Sequence, residues 1–146
     1  MPESVFWDTS AFVALGNRDD GLHSSAVAVN NELARQNAYI LTTDVVLVEV
    51  ANSFSKVAYR PLAQRIIEAL QQSTRMGAAT LVHIDEGLWR RGWNLFTKRP
   101  DKEWGLTDCI SIVVMQERGV ARAFTSDHHF EQAGFIRLMQ GTTGSR

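Results

Sequence analysis

The chain has 146 residues, of which 45% are hydrophobic and 21% are charged, and its formal net charge is -1. These values predict a soluble globular domain and argue against the chain-wide positive field that many nucleic-acid binders use. The single cysteine excludes an internal disulfide and a multi-cysteine zinc site. Because we find no run of membrane-span length and no secretory signal, we expect a cytoplasmic protein with no membrane partner. We also expect a single domain over 1–140 and a flexible tail over 141–146.

The first predicted elements meet at an acidic residue. The run Val5-Phe6-Trp7 is short and rich in strand formers, so it predicts a buried strand. Residues 8–10 favour a helix N-terminus, and a short apolar helix over 11–15 follows. Asp8 is therefore expected at the carboxyl end of a strand, where ligands bind in open α/β sheets. The alternative is that Asp8 only caps the helix.

The next predicted helix contains a carboxylate in an apolar setting. An amphipathic helix over 22–36 and a strand over 39–41 precede a helix from 45 that has almost no polar face, so we expect that last helix to be buried. Glu49 lies in its middle. A buried carboxylate is costly unless it is paired or coordinates a metal, and the alternative is a partly exposed glutamate. We expect Asp44 to be a first-turn helix charge rather than a ligand.

Aromatic and basic residues dominate the middle of the chain. We expect a helix over 62–76, a strand over 81–84 and a helix over 86–96, with most aromatic residues of that last helix in the core. Trp104 either stacks on a base or packs its loop down. The basic residues nearby form either a solvated surface or a contact patch for nucleic-acid phosphates, and they are Arg90, Arg91, Lys98, Arg99 and Lys102.

Two further acidic residues follow in the last third of the chain. Thr107 is a cap candidate for an apolar helix over 109–118, and Asp108 falls in its first turn. A strand over 121–124 leads to Asp127, a helix over 128–133 and an edge strand over 135–138. His128 and His129 beside Asp127 suggest a zinc site. Adjacent histidines point in different directions on a helix, however, so we favour surface positions for both.

The alternation of strands and helices predicts a parallel sheet covered on both faces. The carboxyl ends of its strands share one edge, so Asp8, Glu49, Asp108 and Asp127 are expected to gather in one cleft. These carboxylates would repel one another unless cations neutralise them, and hard oxygen ligands suit Mg²⁺ or Mn²⁺. A carboxylate cluster that holds such ions is a usual arrangement for phosphodiester hydrolysis.

The chain resembles PIN-domain ribonucleases, and most of all the bacterial VapC-type toxins. The resemblance covers nearly the whole chain and rests on VFWDTSAFVAL at the start, VEVAN around Glu49, LTDCISIVVMQERG around Asp108 and AFTSDHHFEQAGF near the end. It implies a three-layer α/β/α sandwich with a short, mainly parallel central sheet. It also implies a Mg²⁺-dependent endoribonuclease that cuts single-stranded or loop RNA, pairs with a small cognate antitoxin and commonly forms a homodimer.

The resemblance implies roles for individual residues. Carried over by position, Asp8 and Asp108 would be the principal metal ligands. Glu49 and Asp127 would complete the cluster, directly or through water. The supporting residues would be Ser10, Thr125 and Thr107.

Two other functions compete with the nuclease interpretation. One is a catalytically silent PIN-like module that binds RNA or a protein, since the family includes inactive members. The other is phosphotransfer through a strand-end aspartate at Asp8. Phosphatases of that sort need a second aspartate two residues later, and Ser10 occupies that position.

Overall fold

The computed structural model describes residues 2–140 and contains a single five-stranded sheet. Its strands are β1 (Ser4–Trp7), β2 (Tyr39–Thr43), β3 (Ala79–Val82), β4 (Arg122–Phe124) and β5 (Ile136–Arg137). Its helices are α1 (Thr9–Gly16), α2 (His23–Arg35), α3 (Asp44–Ser53), α4 (Arg60–Arg75), α5 (Glu86–Lys98), α6 (Leu106–Arg118) and α7 (His129–Gln132). A short 3-10 turn, Val57–Tyr59, precedes α4.

The strand order is β3-β2-β1-β4-β5, and every neighbouring pair is parallel. The chain moves outward from β1 to β3 and then returns to the other side of β1. Right-handed crossovers therefore place the first helices on one face of the sheet and the later helices on the other. In agreement, α1 packs with α2, α3 and α4, whereas α6 packs with α5 and α7. The predicted three-layer α/β/α sandwich with a parallel central sheet is confirmed.

The order in which strands are added to the sheet reverses at β1, between β2 on one side and β4 on the other, and this reversal positions the cleft described below. In the register of β1 and β4, Phe6 lies opposite Ala123, and Trp7 lies opposite Phe124. The backbone amide of Asp8 continues the ladder by donating to the Phe124 carbonyl at 3.1 Å. Side chains that follow these two strands therefore emerge next to each other, at the kind of switch point where open α/β sheets bind ligands.

Two predictions about helix burial are wrong. Helix α3 is not buried all round, because Val48 is 58% exposed while Val46 and Val50 face the core. On α5 the aromatic residues are not core: Trp89 and Trp93 are 48% and 45% exposed. The core-facing stripe of α5 is displaced from the aromatic one by a single residue, and it consists of Leu88, Gly92 and Leu95.

Gly92 explains which stripe of α5 faces inward. A Cβ atom built at Gly92 would lie 2.5 Å from Ile110 Cγ1, so α5 and α6 approach too closely there for any larger residue. The aromatic residues must then lie on the outer side of the helix, where the Trp89 and Trp93 rings stack with centroids 6.3 Å apart and Phe96 continues the row.

The strand predicted over 81–84 lies two residues earlier, at Ala79–Val82, where it pairs with β2. Asp44 accepts a hydrogen bond from the Ile84 amide at 3.0 Å, which holds the chain as it leaves β3. Asp44 also lies in the first turn of α3, as expected.

Within residues 2–140, no helix is both long and apolar enough to cross a membrane. The tail predicted over 141–146 lies outside the described residues, and the domain boundary at 140 stays a prediction.

Candidate active site

A cleft of about 480 Å³ opens at the carboxyl edge of the sheet, beside the ends of β1 and β4. Five separate segments contribute a carboxylate to its lining: the β1–α1 junction, the loop between α1 and α2, α3, the first turn of α6 and the loop after β4. The structure thus brings together all four acidic residues that the sequence singled out, which are Asp8, Glu49, Asp108 and Asp127.

Asp8 occupies the N-cap position of α1, but its side chain makes no capping hydrogen bond. The alternative that Asp8 only caps the helix is therefore wrong. The side chain is 6% exposed, and its Oδ2 accepts a hydrogen bond from Thr125 Oγ1 at 2.8 Å. Ser10 Oγ lies 3.1 Å from Thr125 Oγ1 and 3.5 Å from Asp8 Oδ2. The predicted supporting residues Ser10 and Thr125 both contact Asp8.

Backbone amides fix the two hydroxyl groups. The Ser126 amide donates to Ser10 Oγ at 3.0 Å, and the Asp127 amide donates to Thr125 Oγ1 at 3.0 Å. A hydroxyl oxygen that accepts a hydrogen bond from an amide can still donate its own proton to another group. The Thr125 hydroxyl donates that proton to Asp8. The loop after β4 thereby aligns the carboxylate that follows β1.

Burial shifts the acid–base properties of two carboxyl groups. It raises the pKa of Asp8 to about 7, with a smaller raising effect from the negative charges of Asp108 and Asp127, and the Thr125 hydrogen bond opposes the rise. The pKa of Asp108 is also raised, mainly by burial and then by Asp127, while the Gly105 amide and His129 oppose that rise. Asp8 and Asp108 therefore retain protons at a higher pH than isolated aspartates would, because burial disfavours their charged forms.

Helix α6 begins earlier than expected. Its N-cap is Gly105, and Asp108 Oδ2 accepts a hydrogen bond from the Gly105 amide at 3.0 Å. This is the reach-back bond of a capping box, in which the third helical residue serves the N-cap amide. The prediction that Thr107 caps the helix is wrong, because Thr107 already lies in the first turn.

Glu49 reaches the cleft from α3 and is half-buried. Its Oε1 accepts a hydrogen bond from Thr9 Oγ1 at 2.9 Å, which ties α3 to the first residue of α1. Sequence reasoning missed Thr9, although its position directly after Asp8 was a usable signal. Asp20 was missed as well: it lines the cleft, and its Oδ1 accepts from the Leu22 amide at 2.8 Å.

The two histidines after Asp127 occupy different environments. His128 is exposed, as expected. The surface prediction is wrong for His129, whose side chain is 18% exposed and whose Nδ1 lies 3.1 Å from Asp127 Oδ1 and 3.3 Å from Asp108 Oδ2. Helix α7 begins at His129, one residue later than predicted, so this side chain turns toward the cluster. Asp127, His128 and His129 offer ligand atoms within 4.8 Å of one another, close enough to hold a metal ion.

The predicted basic contact residues do not line the cleft. Arg91 pairs with Glu117 at 3.1 Å, near the C-terminal end of α6 and roughly 13 Å along that helix from Asp108. Arg90 pairs with Glu86 at 3.6 Å. Lys98 lies farther along the same groove between α5 and α6.

Trp104 packs its loop against the fold. The side chain is 6% exposed, and its Nε1 donates to Gln132 Oε1 at 3.0 Å. Arg99 lies 5.2 Å and Lys102 6.0 Å from the ring centroid, while Arg99 also forms two 3.0 Å bonds to Asp101. The suggestion that Trp104 stacks on a base is wrong for this structure, because the indole is not accessible.

The donor set of the cleft fits a hard divalent cation. Within residues 2–140, no lysine or arginine forms an ion pair with Asp8, Glu49, Asp108 or Asp127. The hydrogen bonds of Glu49, Asp108 and Asp127 use one carboxylate oxygen each, and in the described part of the chain the other oxygen accepts none. Carboxylate oxygens are the ligands that Mg²⁺ and Mn²⁺ prefer.

Comparisons with known proteins agree with this fold. A family model described as "PIN domain" matches residues 5–136. The protein named 23S rRNA-specific endonuclease VapC20 of Mycobacterium tuberculosis (strain H37Rv) is 25% identical over 134 residues, which cover 92% of this chain and 97% of the relative. The crystal structure of Mycobacterium tuberculosis VapC20, described as a Sarcin-Ricin loop cleaving toxin, superposes with a TM-score of 0.78 at 24% identity, over 92% of this chain and 98% of that chain. VapBC2 from Rickettsia felis, bound to a promoter DNA fragment, superposes with a TM-score of 0.64 at 16% identity, over 94% of this chain and 98% of that one.

Proposed function

The chain belongs to the PIN domain family, and on this premise we propose that it is a divalent-metal-dependent endoribonuclease of the VapC type, the toxin of a toxin–antitoxin pair. The observation that carries the proposal is the cleft itself. It gathers the four predicted carboxylates, together with Asp20, and has no lysine or arginine among its described lining residues. Such a cluster stays fully ionised only when cations enter it.

The proposed roles follow from the contacts of each carboxylate. Asp8 and Asp108 are the principal ligands, and they give up their remaining protons when a cation neutralises the cluster. Glu49 and Asp127 complete the set directly or through water, while Thr125 and Ser10 hold Asp8 in place. A bound Mg²⁺ or Mn²⁺ supplies an acidified water for attack on the phosphodiester and positive charge for the leaving oxygen.

We propose structured ribosomal RNA as the substrate class. The support is VapC20, which is named a 23S rRNA-specific endonuclease and aligns with 92% of this chain. The basic residues outside the cleft, Arg90, Arg91, Lys98, Arg99 and Lys102, stay a prediction for RNA contact. The pairing of Arg90, Arg91 and Arg99 with acidic neighbours weakens that prediction for those three.

The test is cleavage of purified ribosomal RNA by the purified chain in Mg²⁺, in Mn²⁺ and in EDTA. Asp8→Asn and Asp108→Asn should each lower the cleavage rate by about a hundred-fold or more, because each removes a charged metal ligand. The matched control is Asp101→Asn, which makes the same change at an exposed aspartate paired with Arg99. That control should cleave at the wild-type rate.

Full cleavage by Asp8→Asn would refute the proposed site. RNA binding without cleavage in either metal would replace the nuclease with the silent binding module. A covalent phosphate recovered on Asp8 would instead identify a phosphotransfer enzyme.

We also propose a cognate antitoxin as the protein partner and a homodimer as the solution state. The support is the likeness to VapC-type toxins, together with VapBC2 among the similar structures. Light scattering on the purified chain measures the oligomer directly. Coexpression with a candidate antitoxin, followed by copurification and loss of cleavage, tests the protein partner.

A further inference from the structure

His129 joins two carboxylates that come from different elements of the fold. Its Nδ1 lies 3.3 Å from Asp108 Oδ2, in the first turn of α6, and 3.1 Å from Asp127 Oδ1, in the loop after β4. The imidazole is 18% exposed, and the Asp108 side chain is 17% exposed. This contact therefore lies in a partly desolvated place, where a hydrogen bond constrains its partners more strongly than at the surface.

The partners of Nδ1 determine where the proton is. Both neighbouring atoms are carboxylate oxygens, which accept hydrogen bonds when ionised, so we assign the hydrogen to Nδ1 as the donor. The backbone amide of His129 also donates to Asp127 Oδ1, at 2.9 Å. The neutral Nδ1–H tautomer and the imidazolium both carry this proton, so the contact does not depend on the charge of the ring.

These donors occupy one oxygen of each carboxylate. Asp108 Oδ2 receives the Gly105 amide and the His129 ring, while Asp127 Oδ1 receives the His129 amide and lies 3.1 Å from the ring Nδ1. Within residues 2–140, Asp108 Oδ1 and Asp127 Oδ2 accept no hydrogen bond, and both residues line the cleft. Holding one oxygen of a planar carboxylate sets the direction of the other.

We infer that His129 is a positioning residue, whose Nδ1–H donates to Asp108 and lies against Asp127, so that the second oxygens of both carboxylates are presented to a divalent cation. The inference rests on the proposed function and extends it to a residue outside the acidic set. Groups that hold metal ligands by hydrogen bonds typically contribute 10- to 100-fold to metal affinity, roughly the size expected here.

The test measures Mn²⁺ affinity by isothermal titration calorimetry, which needs no RNA. His129→Leu keeps a side chain of similar bulk but removes the donor, and it should weaken Mn²⁺ binding by about 10- to 100-fold. His129→Asn places an amide N–H close to the position of Nδ1, and it should bind within a few-fold of the wild type. The matched control is His83→Leu, the same change at an exposed histidine outside the cleft that lies 3.3 Å from Asp44 Oδ2, and it should leave the affinity unchanged. Circular dichroism shows that each variant is folded. If His129→Leu fails to fold, His129→Gln replaces it, because its amide reaches past the Nδ1 position.

Pulsed electron paramagnetic resonance of bound Mn²⁺ separates positioning from direct coordination. Positioning predicts no coupling from a directly bound ¹⁴N nucleus, and a strong ¹⁴N coupling that vanishes in His129→Leu would overturn it. Wild-type affinity in His129→Leu, or equal weakening in His129→Leu and His129→Asn, would also overturn it while leaving the nuclease proposal intact. Failure of the wild type itself to bind Mn²⁺ would instead refute the proposed metal site, and the positioning role with it.

Discussion

At the amino ends of β1 and β4, a carboxylate forms an ion pair with a guanidinium group. At the carboxyl ends of the same two strands, several carboxylates line one cleft. Glu3 precedes β1 and Arg122 begins β4, and Arg122 Nε and Nη2 each lie 3.3 Å from a Glu3 oxygen. Arg122 Nη2 also donates to Gln36 Oε1 at 3.1 Å. The charges at this end are balanced within the chain.

The carboxyl end has no such internal balance. Asp8 follows β1, Asp127 follows β4, and in the described part of the chain neither pairs with a lysine or arginine. Hydroxyl groups and amides arrange the oxygens there, but they supply no full positive charge. The raised pKa of Asp8, at about 7, shows that burial and crowding work against ionisation at this end. The two ends therefore differ in that the charges are balanced within the described chain at the amino ends and are not balanced at the carboxyl ends, which is where the proposed cation would bind.

The largest expected effect is on stability without metal. The pKa of Asp8 is raised from 3.8 to about 7 in the folded state, so the folded protein binds more protons than the unfolded chain between those pH values. The free energy of unfolding in EDTA should therefore fall as pH rises from about 4 to 7, and then level off. Asp8→Asn removes this penalty, and it should stabilise the protein at pH 8 by about 1 to 4 kcal/mol, with little effect at pH 4.

Urea unfolding at several pH values, with wild type and variant side by side, measures this difference. Asp101→Asn is the control, because its carboxylate is paired with Arg99 and exposed. A stability difference between Asp8→Asn and wild type that does not change with pH would contradict the assignment of a raised pKa to Asp8.

The second expected effect is a rise in the midpoint temperature of thermal unfolding when Mn²⁺ binds. Mn²⁺ at a hundred times its dissociation constant should stabilise the wild type by about 2.7 kcal/mol, or roughly 5 to 10 °C. At a fixed Mn²⁺ concentration, chosen as a hundred times the dissociation constant at pH 8, the shift should be smaller at pH 6, because protons compete with the cation for Asp8 below its pKa of about 7. Differential scanning calorimetry in EDTA and in Mn²⁺ measures it. Asp8→Asn should show a much smaller shift, and an equal shift in both proteins would place the binding elsewhere.

The sequence predicted the parallel sheet and the gathering of carboxylates because both follow from chain order. A strand followed by an acidic residue puts a carboxylate at a known edge, and Asp8 and Asp127 emerge there side by side. Glu49 was singled out as a carboxylate on an apolar helix and Asp108 as an acidic first-turn residue, and the resemblance to VapC-type toxins then supported both.

The features that the sequence could not predict depend on how each helix is rotated about its own axis, by about the angle between two successive residues. The aromatic stripe of α5 and its core stripe have the same helical spacing, and only the close approach of Gly92 to Ile110 decides between them. The sequence alone does not distinguish His128 from His129, and the starting residue of α7 determines which one faces the acidic cluster. Helical periodicity fixes which residues share a face, but only packing fixes where that face points.

The smallest expected effect is at the amino ends of β1 and β4, where Glu3 pairs with Arg122. Glu3→Gln removes the charge that faces Arg122, and it should destabilise the protein by at most about 1 kcal/mol, because Glu3 is 59% exposed and such pairs contribute little. The loss should shrink further in high salt, which screens exposed charges. Mn²⁺ affinity should not change, because the site lies at the other end of the strands. Urea unfolding at low and high salt, with calorimetric Mn²⁺ titration, checks both parts. A change in Mn²⁺ affinity as large as that of Asp8→Asn would mean that the two ends are coupled through β1 and β4, and that the charge balance at the amino end is part of the site.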